Sequence, residues 1–111
     1  MNKEFNCPVE ATISLIGGKY KSVILFHLMG KTLRYSELHK KIPKATDKML
    51  AQQLREQEKD GLIKRTVYPV VPPKTEYNLT EFGESLSPIL NAMCNWGESY
   101  LNIPSQCVEE S

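Results

Sequence analysis

The 111-residue sequence predicts a mainly α-helical domain with a small β-hairpin wing, the arrangement of a winged helix-turn-helix. First, two helical patterns in the middle of the chain are joined only by the short turn "IPKATD", residues 42–47. Second, the segment "RTVYPVVPPKTEYNLT", residues 65–80, alternates at both ends as strands do, around a tip without glycine. Third, helical patterns lie on both sides of these segments. We expect residues 7–103 to form one domain and residues 104–111 to be a polar tail.

The two helices before the turn motif have different roles in the predicted fold. The segment "CPVEATISLIGG" predicts a short helix in which Pro8 takes the first helical position and Gly17-Gly18 end it. The segment "KYKSVILFHLMG" is apolar nearly all round and ends at Gly30. A helix without a polar face is typical of the centre of a core, so we expect this helix to be the most buried.

The next two segments predict the helix-turn-helix itself. The segment "LRYSELHKKIP" predicts a third helix that stops before Pro43. In the fourth helix, Thr46 is a natural N-cap and Asp60-Gly61 close the far end. The side chains of this helix separate into two opposite stripes. The apolar stripe contains Leu50 and Leu54, and the stripe of long basic and amide side chains contains Lys48, Gln52, Arg55 and Lys59.

The last part of the chain predicts the wing and a final helix. The strands are "LIKRTVYP" and "KTEYNLT", and the prolines between them stiffen a tip that we expect to project without a sheet beside it. Thr80 is the expected N-cap of the final helix, "EFGESLSPILNAMCNWGESYLN". Pro88 should kink or divide this helix, because proline cannot donate the hydrogen bond that a helix interior needs.

Composition excludes several classes of protein. The chain is 41% apolar and 24% charged, its longest apolar run is far too short to span a bilayer, and its N-terminus lacks an apolar signal core. We therefore expect a cytoplasmic protein that makes no membrane contact. Three widely spaced cysteines and two isolated histidines predict neither a disulfide framework nor a metal site, and we expect no cofactor. Cys7 with His39 is the one conceivable nucleophile–base pair, and nothing orients it, so we expect no enzymatic activity.

The net charge of +1 hides a strong separation of charge along the chain. Residues 19–75 contain 13 Lys and Arg against five Asp and Glu, whereas residues 76–111 contain six Glu and no Lys or Arg. This separation predicts two surfaces with different partners, of which the basic one favours double-stranded DNA. A solvated charged face is the alternative interpretation.

The fourth helix is expected to enter the major groove of DNA, and the wing to contact phosphates. Arg and Lys side chains pair with guanine edges, and Gln pairs with adenine. The candidate DNA contacts are Lys19, Arg34, Thr46, Lys48, Met49, Gln52, Gln53, Arg55, Lys64, Arg65 and Lys74. The competing class is a protein-interaction adaptor built on the same fold. An adaptor would not need a fourth helix rich in basic and amide side chains.

A surplus of apolar side chains predicts that two copies associate. The last helix has more apolar and aromatic area on one face than a small domain needs to cover its own core, which favours a homodimer. The first helix is expected to contribute to the same interface. The candidate dimer residues are Val9, Ile13, Ile89, Met93, Trp96 and Tyr100. A dimer of this kind predicts an inverted-repeat DNA site.

Motifs along nearly the whole chain resemble a known family. The phrases "CPVEATISLIGGKYKSVIL", "RYSEL", "DGLIKRTVYPVVPPKTEYNLTEFGESL" and "WG" resemble the HxlR-type winged helix-turn-helix family of bacterial transcription regulators, from about Cys7 to Leu101. The resemblance implies a homodimer, joined through its N- and C-terminal helices, that binds an operator as a repressor or activator. Thr46-Asp47 and Val70 depart from the family's usual residues in DNA-facing parts, so no operator sequence is transferred from a relative.

Some members of that family sense electrophiles or oxidants through the cysteine that matches Cys7. Cys7 precedes Pro8 at a helix start, where exposed N–H groups stabilise a thiolate. Cys107 in the tail is the candidate redox partner across the two subunits. The alternatives are that Cys7 is a small packed cap residue, that the effector is a small molecule bound between helices, or that the protein is controlled only by its own abundance.

Overall fold

The computed structural model describes residues 5–104. Its helices are α1 (Pro8–Ile16), α2 (Lys21–Leu28), α3 (Tyr35–Lys41), α4 (Asp47–Lys59), α5 (Glu81–Glu84) and α6 (Ser87–Leu101), and its strands are β1 (Leu33–Arg34), β2 (Ile63–Tyr68) and β3 (Lys74–Leu79). This order of helix, helix, helix-turn-helix, hairpin and helix confirms the predicted winged helix-turn-helix.

The two N-terminal helices differ in burial as predicted. Helix α1 begins with Pro8 after an extended Cys7 and contributes no buried residue. Helix α2 fills the centre of the core, where Ile24, Leu25 and Leu28 are fully buried. Removing one such side chain from water stabilises the fold by about 1.5–3 kcal/mol. Gly30, with φ of 66°, then reverses the chain in a conformation that favours glycine.

The helix-turn-helix packs its apolar side chains against α2. Leu38 of α3 and Leu50 and Leu54 of α4 join the same core cluster. The start of α4 is set by Thr46, whose Oγ1 accepts a hydrogen bond from the backbone N–H of Met49 at 3.1 Å. Gly61, with φ of 79°, follows its end. The predicted boundaries of α4 are thereby confirmed.

The sheet has three antiparallel strands in the order β1-β3-β2. Strand β1, which the sequence patterns did not indicate, pairs with β3 through Leu33 and Tyr77 at the base of the wing and does not reach its proline tip. The sequence patterns predict that Leu33 and Arg34 belong to the third helix, whereas in the structure they form β1 and α3 begins at Tyr35. A strand of two residues is too short to produce a recognisable alternation. Tyr77, between Leu33 and Arg65 in register, is buried and anchors the base of the wing.

The C-terminal region divides near Pro88, as predicted. Thr80 caps the short α5 by accepting a hydrogen bond from Gly83 N–H at 3.0 Å, and Pro88 then lies in the first turn of α6. Gly83 packs so closely on the backbone of Leu62 that a Cβ would collide with its carbonyl oxygen. Within residues 5–104, no helix has both the length and the hydropathy that crossing a membrane requires.

Candidate nucleic-acid interface

Helix α4 presents one face to the core and the opposite face to solvent. Leu50 and Leu54 are at most 1% exposed, whereas Lys48, Gln52 and Arg55 are exposed. Because 3.6 residues complete each helical turn, these three side chains and Lys59 form one longitudinal stripe. The stripe therefore lies on the solvent-facing surface of the helix-turn-helix.

Gln53 belongs to the interior and not to this stripe. Its side chain is only 7% exposed, and its Oε1 accepts a hydrogen bond from Tyr20 N–H at 2.8 Å. The prediction that Gln53 contacts DNA is therefore corrected. The start of α2 covers this edge of α4, a contact between residues 33 positions apart that helical periodicity alone does not show. Gln57 is fully buried beside it and donates to Lys21 O at 3.0 Å.

An unpredicted acidic side chain lies next to the exposed stripe. Glu56 accepts a hydrogen bond from Gln52 Nε2 at 3.3 Å and pairs with Lys21 at 3.0 Å. Hydrogen bonding to Lys21, assisted by Gln52, lowers the pKa of Glu56. The Gln52 amide is thus held along the outer face of α4, with its carbonyl oxygen available to a partner.

The other candidate contacts outside the wing have different surroundings. Lys19 is exposed, with its Nζ 5.5 Å from the centre of the Tyr20 ring. Arg34 is exposed immediately before α3, and its backbone N–H donates to Glu37 Oε1 at 2.8 Å. Thr46 is exposed, but its hydroxyl oxygen is engaged as the cap of α4. Met49 is half-buried and accepts a weak hydrogen bond from Gln53.

The three basic residues of the wing do not share one face. Lys64 and Arg65 are adjacent on β2, so their side chains leave the strand in opposite directions. Lys74 lies on β3 opposite Tyr68, with its Nζ 4.8 Å from that ring and 3.7 Å from Glu76. Hydrogen bonding to Glu76 raises the pKa of the Tyr68 hydroxyl. Strand β2 is an edge strand, and its Lys64 and Arg65 side chains are both exposed to solvent.

A polar network that the sequence patterns did not indicate ties α3 to the first residue of α4. Tyr35 Oη donates to Asp47 Oδ1 at 2.8 Å, and His39 Nδ1 lies 3.2 Å from the same oxygen. The other ring nitrogen, Nε2, is 2.9 Å from Ala45 O in the turn. Burial and the hydrogen bond to Asp47 raise the pKa of Tyr35 to about 12, so the hydroxyl stays a donor. In the sequence, the spacing of four residues between Tyr35 and His39 was the signal that could have indicated this network.

A separate apolar surface is formed by α1 and α6. All six predicted dimer residues are exposed in the single chain: Val9, Ile13, Ile89, Met93, Trp96 and Tyr100. Trp96 and Tyr100 are 69% and 74% exposed, and their rings stack with centroids 5.4 Å apart. Because they are so exposed, these two large side chains contribute little to the core of the single chain. A groove of about 230 Å³ adjoins this surface and is lined by Ser22, Val23, Phe26, Leu90, Met93 and Cys94.

The redox candidates lie at opposite ends of the chain. Cys7 is exposed and is a free thiol, in an extended conformation immediately before α1. Cys107 lies outside the described residues. Within residues 5–104, no group of three His, Cys, Asp or Glu side chains is arranged to hold a metal ion.

Comparison with known proteins places this arrangement in a family. Residues 15–105 match the family model described as HxlR-like helix-turn-helix. The HTH-type transcriptional regulator YdeP of Bacillus subtilis is 53% identical over 94 residues, which is 85% of this chain and 73% of YdeP. YtcD, an HTH-type transcriptional regulator of the same organism, is 54% identical over 100 residues, which is 90% of this chain and 79% of YtcD.

A solved structure extends the likeness to three dimensions. The redox regulator HypR in its oxidised form matches with a TM-score of 0.80 and 49% sequence identity, covering 84% of this chain and 96% of the HypR chain. The fold, the exposed basic helix and the sequence therefore all indicate the same family. The chain belongs to the HxlR-like helix-turn-helix family and is a DNA-binding transcriptional regulator.

Proposed function

We propose that the protein binds an inverted-repeat operator as a homodimer, with one copy of α4 in each of two successive major grooves. The observation that carries this proposal is the exposed stripe of α4, which faces solvent while the opposite side of the helix is held in the core. Successive grooves on one side of B-DNA lie about 34–36 Å apart, which sets the half-site spacing. Residues 7–103 are the DNA-binding and dimerisation unit in this proposal, followed by a tail at 104–111.

The contacts divide by chemistry into base readers and phosphate contacts. Lys48, Gln52 and Arg55 have the length and donors to reach base edges from α4, where Arg selects guanine and Gln selects adenine. Cations outside α4 orient the protein on the duplex without reading the sequence. These proposed phosphate contacts are Lys19, Arg34, Lys64, Arg65 and Lys74, with Thr46 and Met49 near the entrance of the groove.

The proposed dimer interface is the apolar surface of α1 and α6. Its stacked Trp96 and Tyr100 rings are characteristic of the buried centre of protein–protein interfaces. Helix α6 also carries Glu98 and no Lys or Arg, which keeps this surface away from phosphates. Pairing through it would leave the basic side of each chain available for DNA.

Electrophoretic mobility shift with the DNA next to the protein's own gene tests the DNA-binding proposal. A specific shift is expected, and it should weaken by orders of magnitude between about 50 and 200 mM salt, because counterions are released when phosphates are neutralised. An unrelated duplex of equal length is the control. Equal binding to both duplexes, or an affinity that does not depend on salt, would contradict the proposal.

We further propose that oxidation of Cys7 changes operator affinity. The supporting observations are the free, exposed thiol at the start of α1 and the likeness to HypR, a redox regulator. Diamide would take two electrons and two protons from two thiols, which form a disulfide while diamide becomes the hydrazine. That Cys107 of the other subunit is the second thiol stays a prediction. A small molecule in the groove between α2 and α6 is the competing effector.

Mobility shifts with and without diamide separate these two modes of control. Oxidant should alter operator binding by the wild type and not by Cys7→Ser, and mass spectrometry of the oxidised protein should identify the cysteine joined to Cys7. If Cys7→Ser responds to diamide as the wild type does, Cys7 is not the sensor. The DNA-binding proposal is unaffected by either result.

A further inference from the structure

The carboxylate of Asp47 is fixed at the DNA-facing end of α4 by two side chains of α3. Tyr35 Oη and His39 Nδ1 both contact Oδ1, at 2.8 Å and 3.2 Å. Neither contact involves Oδ2. The Asp47 side chain nevertheless stays 78% exposed, so the network orients the carboxylate without burying it. Oδ2 therefore retains its lone pairs for a partner outside the chain.

The network also joins the three parts of the helix-turn-helix. His39 reaches Ala45 O in the turn through Nε2, while its Nδ1 contacts Asp47 in α4. A freely rotating aspartate at this position would turn away from an approaching phosphate. A carboxylate tied to α3 instead keeps one position relative to the helix-turn-helix backbone.

A fixed carboxylate among basic side chains has few acceptable partners on DNA. Phosphates repel it. In the major groove guanine presents two acceptors, thymine presents an acceptor and a methyl group, and adenine presents an acceptor beside its amino group. Cytosine alone presents a donor, the N4 amino group, without an adjacent acceptor. The electrostatics and the hydrogen-bond pattern therefore select the same base.

We propose that Asp47 is a specificity-determining residue that accepts a hydrogen bond from a cytosine N4 amino group in each half-site, and that Tyr35 and His39 are its positioning residues. This inference rests on the proposed entry of α4 into the major groove. It adds a base preference that the basic residues of α4 do not supply, because Lys and Arg donate and do not accept.

The test is selection of bound duplexes from a random pool by the full-length wild type and by Asp47→Ala, followed by titration of single-base variants of the selected site. The wild type should prefer C·G over the other pairs at one position of each half-site by about tenfold. Asp47→Ala should lose that preference and keep the others. Asp47→Asn should shift the preference towards adenine, since the asparagine amide matches the adjacent donor and acceptor that adenine presents.

Two further arms isolate the hydrogen bond and the positioning residues. Replacing the selected cytosine by 2-pyrimidinone, which lacks the amino group, should weaken wild-type binding about tenfold and leave Asp47→Ala unchanged. Tyr35→Phe should reduce the preference for C·G below that of the wild type. Circular dichroism should show that this variant is folded. Glu58→Gln, which removes an exposed carboxylate at the other end of α4, is the matched control and should retain every preference.

The outcomes separate this inference from the proposed function. If Asp47→Ala keeps the wild-type base preferences at all positions, Asp47 does not read a base, even though α4 still does. If Lys48→Ala and Arg55→Ala also leave affinity and preference unchanged, α4 is not in the groove and the proposed function fails first. A wild type with no preference for cytosine at any position likewise overturns the inference.

Discussion

Gln53 Oε1 accepts a hydrogen bond of 2.8 Å from the backbone N–H of Tyr20, immediately before α2 begins. One turn further along α4, Gln57 Nε2 donates to Lys21 O at 3.0 Å. Two amide side chains therefore fix α4 to the central helix of the core. The direction of α4 depends on these contacts as well as on its leucines, since apolar contacts alone permit rotation and sliding.

Gln53→Ala should reduce stability, whereas Gln52→Ala should not. Without the Gln53 amide, the partly buried backbone N–H of Tyr20 loses its acceptor, which costs about 1–2 kcal/mol in the free energy of unfolding. Gln52 is the matched control because it is the same residue type, one position away and exposed. Urea unfolding measures both values, and equal midpoints for the two variants would contradict the role of Gln53. The effect on base preference in DNA binding should be the reverse: Gln52→Ala should change it directly, whereas Gln53→Ala should not.

The limits of prediction from sequence follow from the range of each interaction. The stripes of α4 could be predicted because they depend on a period of 3.6 residues within one helix. Gln53 could not be placed, since an amide suits a core edge or a surface and its burial depends on Tyr20, far away in the sequence. Strand β1 escaped recognition because Leu33–Arg34 is too short to alternate. The Asp47 network joins two helices across a turn, so only the folded chain brings its members together.

Arg55→Ala should weaken specific binding by about 1–3 kcal/mol and relax base preference, because we propose that its exposed guanidinium on the outer face of α4 contacts a guanine edge. Lys31→Ala is the charge-matched control, an exposed cation in the loop after α2 and outside the proposed contacts. Mobility shifts with specific and unrelated duplexes measure both. If Arg55 acts only through its charge, Arg55→Ala should instead lower the affinities for the specific and the unrelated duplex equally and reduce the dependence of binding on salt.

Trp96→Ala should weaken the dimer without unfolding the chain. Truncation of a large aromatic residue at the centre of an interface commonly costs at least about 2 kcal/mol of binding, whereas Trp96 adds nothing to the core of its own chain. Phe82→Ala is a suitable control because Phe82 is a half-exposed aromatic residue on α5, outside the proposed interface. Light scattering at micromolar concentration measures the mass. A wild-type monomer, or a Trp96→Ala dimer as stable as the wild type, would exclude this interface.

His27 should make the protein less stable in mild acid. Burial first, and then the nearby Lys41 and Lys31 cations, lower the pKa of this half-buried ring from 6.5. Protons therefore bind more readily to the unfolded chain, and the neutral ring favours the folded one. The contribution is fully present above pH 6.5 and is lost as the pH falls through the lower pKa of the folded state.

The measurement for His27 is the free energy of urea unfolding of the wild type and of His27→Leu between pH 7.5 and 5. Carboxyl groups titrate in both proteins, so the difference between the two curves isolates His27. The wild type should lose stability relative to His27→Leu as the pH falls below 6.5, and the two curves should run parallel above it. Parallel curves over the whole range would mean that the ring binds its proton equally well in the folded and the unfolded chain.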